Sequence, residues 1–71
     1  MNDTPEIIEI FWQNVDWHRQ NKKMSWLDLV GSRYTTAKKH TANINLKTVQ
    51  NIAELLDIDD YAILFERVDE K

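Results

Sequence analysis

Seventy-one residues, 42% of them hydrophobic and seven aromatic, describe one small globular domain that buries only about 60% of the surface its unfolded chain exposes. A single glycine and a single proline argue against a many-turned β fold, and the lack of cysteine excludes a disulfide framework and a thiolate metal site. No stretch approaches the roughly 20 apolar residues that cross a bilayer, and Met1 to Pro5 shows no basic-then-apolar signal pattern, so a soluble cytoplasmic chain is expected.

Thr4 followed by Pro5 reads as a helix start, a capping hydroxyl before a proline whose missing N–H costs nothing there. Ile7, Phe11 and Val15, with Ile8 and Trp12 beside them, form one apolar stripe. Glu6 and Glu9 suit the start of the helix dipole, and Lys22 and Lys23 its end. The first helix is predicted over 5–21. Ser25-Trp26-Leu27-Asp28 has capping-box form and opens a short helix over 26–31, with Leu27 and Val30 able to face inward and Gly31 closing it. Ser32 is expected to cap a third helix over 33–40, polar apart from Tyr34 and Ala37. After a loop ending in a capping Asn45, the spacing of Leu46, Val49, Ile52, Ala53 and Leu56 predicts a helix over 46–56. Asp59 is expected to cap a last helix over 60–67 that carries Ala62, Ile63 and Phe65, with Val68 just beyond. The reading is an all-α domain of five helices occupying residues 1–71, with no repeat or low-complexity tract. Trp12 is placed in the core, and of Trp17 and Trp26 one is expected inside and one partly exposed.

Little in the chain carries bond-making chemistry. His18 and His40 fall on different helices with no ligand spacing around them, so no metal and no cofactor is expected. Ser25 and Ser32 lack a nucleophile elbow, and Gly31 alone makes no phosphate loop. The chain is not expected to be an enzyme, and no small-molecule substrate or membrane partner is expected. Charge is more informative. The net charge of −3 hides a basic middle: residues 1–28 carry −2 and residues 54–71 carry −5. Between Leu29 and Ala53 there is no acid, and Arg33, Lys38, Lys39 and Lys47 give +4.

A long helix, two short ones about a tight turn, an apolar helix and a short last one match a helix-turn-helix order. In that order the third helix should lie open. Its stretch Arg33-Tyr34-Thr35-Thr36-Ala37-Lys38-Lys39-His40 is the most basic and least apolar of the chain. Lys38, Lys39 and Lys47 are candidate phosphate contacts, and Arg33, Thr35, Thr36 and Asn43 candidate base readers, with Tyr34 and His40 in the same stretch. A solvated helix face is the plain alternative.

From Asn14 to Phe65 the chain resembles the phage-repressor (Cro- and CI-like) helix-turn-helix family. "KKMSWLDLVG" is similar to that family's second helix, "YTTAKKH" to its recognition helix, and "NINLKTVQNIAELLDIDDYAILFE" to its fourth and fifth helices. The interval from Ser25 to Asn45 is shorter than the family's by about two helical turns of about 3.6 residues each, so the turn and recognition region is trimmed. Its size, acidity and "FW…N…W…MSW" start are similar to the modulator-of-repression group of lactococcal temperate phages. That resemblance implies an antirepressor of a lysis–lysogeny switch in a bacterial host. Its partner would be the N-terminal DNA-binding domain of a CI-type repressor, whose operator contact it blocks or alters. A blocker of a basic surface should offer acids and an aromatic anchor, which makes Glu54, Asp57, Asp59, Asp60, Trp17 and Trp26 the candidate repressor-binding residues. The alternative is a Cro-like regulator that binds operator DNA directly through residues 33–47, and joint contact of DNA with the repressor stays open.

Overall fold

A computed structural model describes residues 5–67, and the backbone alone at Arg33. Four α-helices and two 3₁₀ segments follow one another, with no strand among the described residues. They are α1 (Glu6–Lys22), α2 (Trp26–Val30), a 3₁₀ turn (Gly31–Arg33), α3 (Tyr34–Lys38), α4 (Leu46–Leu55) and a 3₁₀ helix (Tyr61–Phe65). The all-α reading holds.

Pro5 starts α1. Its carbonyl accepts from the Ile8 and Glu9 N–H groups, and no side chain caps this end; Thr4 lies outside the described residues. Ser25 and Asp28 close the expected capping box on α2, the Asp28 N–H donating to Ser25 Oγ at 3.0 Å and the Ser25 N–H to Asp28 Oδ2 at 3.3 Å. Asn45 caps α4 by accepting from the Thr48 N–H at 2.9 Å.

The chain leaves three helices in the same way. Lys23, His40 and Asp57 take positive φ of 59°, 63° and 60°, and the N–H one residue further on reaches back to a carbonyl in the preceding helical turn. Met24 donates to Arg19, Thr41 to Thr36 and Ile58 to Ala53. This is the Schellman closure, for which glycine is the usual residue. Each non-glycine residue held there costs roughly 1 kcal/mol. Gly31, the chain's one glycine, sits between α2 and the 3₁₀ turn at φ 63° and ψ −134°. A Cβ there would meet no atom within 4 Å, so the backbone angles alone call for glycine.

Several expectations are corrected. The third helix is shorter than 33–40, because His40 turns left-handed to reverse the chain and Gly31–Arg33 winds as 3₁₀. Ser32 therefore lies inside the turn and caps nothing. The last segment is a 3₁₀ helix of five residues, not an α-helix over 60–67, and it is capped by Asp60, whose Oδ1 accepts from the Ala62 N–H at 3.0 Å. Asp59 is one residue too early, since the closure at Asp57 and the burial of Ile58 carry the chain on to Asp60 before it can turn again. Leu27 points to solvent, because Trp26, Leu29 and Val30 at three- and four-residue spacing already fill the one inner face of so short a helix.

One core joins the pieces. Phe11, Trp12 and Val15 of α1 meet Leu29, Ala37, Val49, Ile52, Ala53, Leu56, Ile58 and Leu64. Two polar groups anchor it. The Trp12 indole N–H donates to the Ala42 carbonyl at 2.8 Å, which ties α1 to the α3–α4 connection. The buried Asn14 amide donates to the carbonyls of Ile10 (2.9 Å), Leu64 (3.2 Å) and Glu66 (2.7 Å), which straps the 3₁₀ helix to α1.

Asn14→Ala leaves the Leu64 and Glu66 carbonyls without that donor and is expected to cost about 2 kcal/mol in urea unfolding, with faster amide exchange over residues 61–67. An unchanged midpoint would show that the strap contributes nothing. Lys23→Gly relieves the left-handed closure at an exposed position. It should raise the thermal midpoint by roughly 3–6 °C, a gain of about 0.5–1 kcal/mol, whereas a lower midpoint would mean that the unfolded chain's added freedom dominates.

Candidate interaction surfaces

The basic middle divides into an open and a closed part. Tyr34, Thr35, Thr36, Lys38 and Lys39 are exposed on or just after α3, and Asn43 and Lys47 are exposed beyond it. The Arg33 side chain lies outside the described part. At five residues α3 is about 7.5 Å long, a turn and a half. His40 does not join this face. Its Nε2 lies 3.4 Å from Asp16 Oδ2 on α1, and its ring centroid is 6.3 Å from that of Trp26.

That contact belongs to a cluster the sequence did not reveal. Arg19 donates through Nε (3.0 Å) and Nη2 (2.7 Å) to Asp16 Oδ1, and through Nη1 (2.9 Å) to the Met24 carbonyl. Gln20 donates to the same Asp16 oxygen at 3.2 Å. The Arg19 guanidinium also lies 4.8 Å from the centre of the Trp26 ring, and Trp12 meets that ring edge-on at 6.0 Å. Partial burial opposes ionisation of Asp16. The hydrogen bonds from Arg19 and Gln20, with the charges of Arg19 and His40, outweigh it and hold the carboxyl below its usual range. Spacing alone shows the Asp16–Arg19 pair as an ordinary i,i+3 couple; nothing in it announces that His40, 24 residues on, folds back to the same carboxylate.

The candidate repressor-binding residues are placed unequally. Trp17 is 61% exposed, touching the His18 ring edge-on at 4.9 Å. With Asn14, Ile63, Glu66 and Arg67 it lines a shallow depression of about 380 Å³. Trp26, by contrast, is half-buried under Arg19 and against Trp12 and His40, so it packs where an anchor would have to stand free. Glu54, Asp57, Asp59 and Asp60 are all exposed. Glu54 accepts from Gln50, Asp57 pairs with Lys22, and Asp60 caps the 3₁₀ helix. Glu66, next to Trp17, is an acid the sequence reading did not single out.

A second hollow, of about 490 Å³, opens between the start of α1, the Ala42–Asn45 connection and the start of α4. It is mostly apolar, lined by Ile7, Ile8, Phe11, Leu46, Val49 and Phe65 among others. Ile7 and Leu46 were expected in the core by their spacing, yet they are 60% and 83% exposed. Both sit at helix starts, where the stripe runs past the end of the core.

Among the described residues, no group of three or more His, Asp or Glu side chains converges as a metal site, and no helix is long and apolar enough to cross a membrane. No family model, curated protein or solved structure matches the chain.

Asp16→Asn tests the cluster. Because the folded carboxyl titrates below its unfolded value, its contribution is present above about pH 3.9 and is lost as pH falls from there through the folded value. The variant should therefore lose about 1 kcal/mol at pH 7 and show a shallower decline in stability between pH 4 and pH 2. Parallel urea-unfolding curves for the two proteins across that range would sink the assignment.

Proposed function

We propose that this chain is an antirepressor of a temperate-phage lysis–lysogeny switch, a trimmed helix-turn-helix domain without enzymatic activity. It acts in the bacterial cytoplasm by docking on the DNA-binding domain of a CI-type repressor and blocking operator contact. The observation that carries the reading is Trp17, an indole 61% exposed on a long, well-anchored helix. Tryptophan dominates interface hot spots, and one left open on a domain this small suits a protein partner better than water. The acids around the end of α4 give the same domain a negative field that complements a basic, DNA-facing partner. The helix order supports a phage-repressor-like layout, with α2, the 3₁₀ turn and α3 standing for a shortened helix-turn-helix unit. The brevity of α3 favours a protein partner over independent docking in a major groove.

A second reading, a Cro-like regulator of operator DNA, is favoured by one feature. Thr35, Thr36, Lys38 and Lys39 are exposed together in a stretch free of acids from Leu29 to Ala53.

A gel-shift titration on switch-region DNA, with and without the repressor, separates the two. Loss of the repressor's own shift, with none from this chain alone, is the expected result. Trp17→Ala combined with Asp59→Asn should raise the concentration needed at least tenfold, a loss of about 1.4 kcal/mol, with the circular-dichroism spectrum unchanged, since both residues are exposed and lie outside the core. A shift by this chain alone that weakens steeply with salt would favour the Cro-like reading. A supershift would mean joint contact with DNA.

A further inference from the structure

The antirepressor reading names Trp17 as a docking residue and leaves open what docks against it. The depression there has two sides. Asn14, Trp17 and His18 stand at three- and four-residue spacing on one face of α1, and Ile63, Glu66 and Arg67 come from the 3₁₀ helix and the residues after it. We infer that this depression receives an arginine side chain of the partner protein, its guanidinium stacked on the Trp17 indole and its N–H groups donating to Glu66 and Asn14. The inference rests on the antirepressor reading and adds the chemistry of the docked group.

Asn14 is the most buried of these residues, only 9% exposed. Its Nδ2 donates to the carbonyls of Ile10, Leu64 and Glu66, which settles the orientation of the amide and leaves Oδ1 as the free end. Oδ1 accepts no hydrogen bond from the described residues, and no buried side-chain oxygen or nitrogen among them lacks a partner. Oδ1 is therefore open to the outside, on a residue that lines the depression. Glu66 adds charge. Asn14 holds its backbone carbonyl at 2.7 Å, while its exposed carboxylate has no ion pair among the described residues. Arg67 is paired with Glu6, so that couple brings no net charge and Glu66 leaves the depression negative. Trp17 completes the set with an indole 61% exposed, met edge-on by the His18 ring at 4.9 Å.

Two open acceptors, a negative charge and an aromatic face call for a flat cation rich in N–H groups. Guanidinium fits, since it stacks on an indole while its fork of donors bonds to oxygens in its own plane. The chain makes the same arrangement internally. Arg19 lies 4.8 Å from the centre of the Trp26 ring while its Nε and Nη2 bond to Asp16. An ammonium group would match the charge but not the plane, and an apolar side chain would bury both oxygens without a donor.

NMR titration of the isotope-labelled whole chain with N-acetyl-arginine methylamide tests this. The Trp17 indole N–H and the Glu66 amide should shift together and saturably. The Trp12 indole, bonded to Ala42, and the Trp26 indole, covered by Arg19, should stay in place. The citrulline analogue, alike in shape but uncharged, should need roughly tenfold more, because hydrogen bonds to charged groups are the stronger kind. Glu66→Gln should weaken arginine binding severalfold with an unchanged circular-dichroism spectrum, since the side chain is exposed and the carbonyl held by Asn14 is kept. A Trp17 signal that does not move overturns the proposal, as does citrulline binding equally well or a Glu66→Gln variant that binds like the wild type. The gel shift keeps the two readings apart. Repressor release that needs Trp17, with no response to the arginine probe, overturns this assignment and keeps the antirepressor. Response to the probe, with repressor release independent of Trp17, overturns docking of the repressor there and keeps the arginine site.

Discussion

The hydrogen bond from the Trp12 indole to the Ala42 carbonyl is the constraint on which the arrangement of the domain depends. It joins residues 30 apart in the chain, inside the core. The Trp12 ring also meets Phe11 at 4.9 Å and Trp26 at 6.0 Å, both edge-on. One side chain thus fixes where the α3–α4 connection crosses α1 and how close α2 may approach. The geometry is enforced from both sides. An indole N–H buried without a partner costs 1–3 kcal/mol, roughly, and the Ala42 carbonyl belongs to a segment with no helix of its own to satisfy it. Swing the connection away and both groups are orphaned at once.

With that crossing fixed, the reversals between helices have little freedom, and this accounts for three non-glycine residues in left-handed closures. The chain has to turn sharply after α1, α3 and α4 to return to the same small core. At each place a neighbouring apolar residue gains from the turn: Met24 packs on the core after Lys23, Ala42 is buried two residues after His40, and Ile58 is buried after Asp57. Two of the strained residues also gain a partner, His40 from Asp16 and Asp57 from Lys22. Lys23 has no such side-chain partner among the described residues, and what it gains there is the burial of Met24 next door.

What the sequence disclosed, and what it hid, follows from the range of the interactions. Periodicity placed α1 and α4 because burying one stripe is a local property. The Ser25–Asp28 box and the Asn45 cap were legible because their bonds span three residues. The left-handed closures were hidden, since their usual signal is glycine and this chain places lysine, histidine and aspartate there. The α3 boundary was missed for that reason. The site residues divided along the same line. Exposure of Lys38 and Lys39 is readable from a polar stretch, but the withdrawal of His40 towards Asp16 and the covering of Trp26 by Arg19 are tertiary facts. Leu46 was misread in the other direction: the periodic stripe of α4 continues one turn beyond the core that the stripe implies.

These placements bear on how so small a domain could serve two contacts. Its core uses twelve apolar residues, yet eight large ones, among them Ile7, Trp17, Tyr34 and Leu46, remain substantially exposed among the described residues. A chain with thin stability gains from burying apolar surface and is exposed to aggregation when it does not. Scattered exposure would need no explanation, but here Ile7, Leu46 and Phe65 converge on one hollow and Trp17 stands with Ile63 at another. The polar clusters lie between these patches and hold the elements that carry them: Asn14 straps the 3₁₀ helix that bears Phe65 and Ile63, and the Asp16–Arg19–His40 group holds the end of α3 against α1. A rigid scaffold with two separate apolar patches can pair through one and leave the other free.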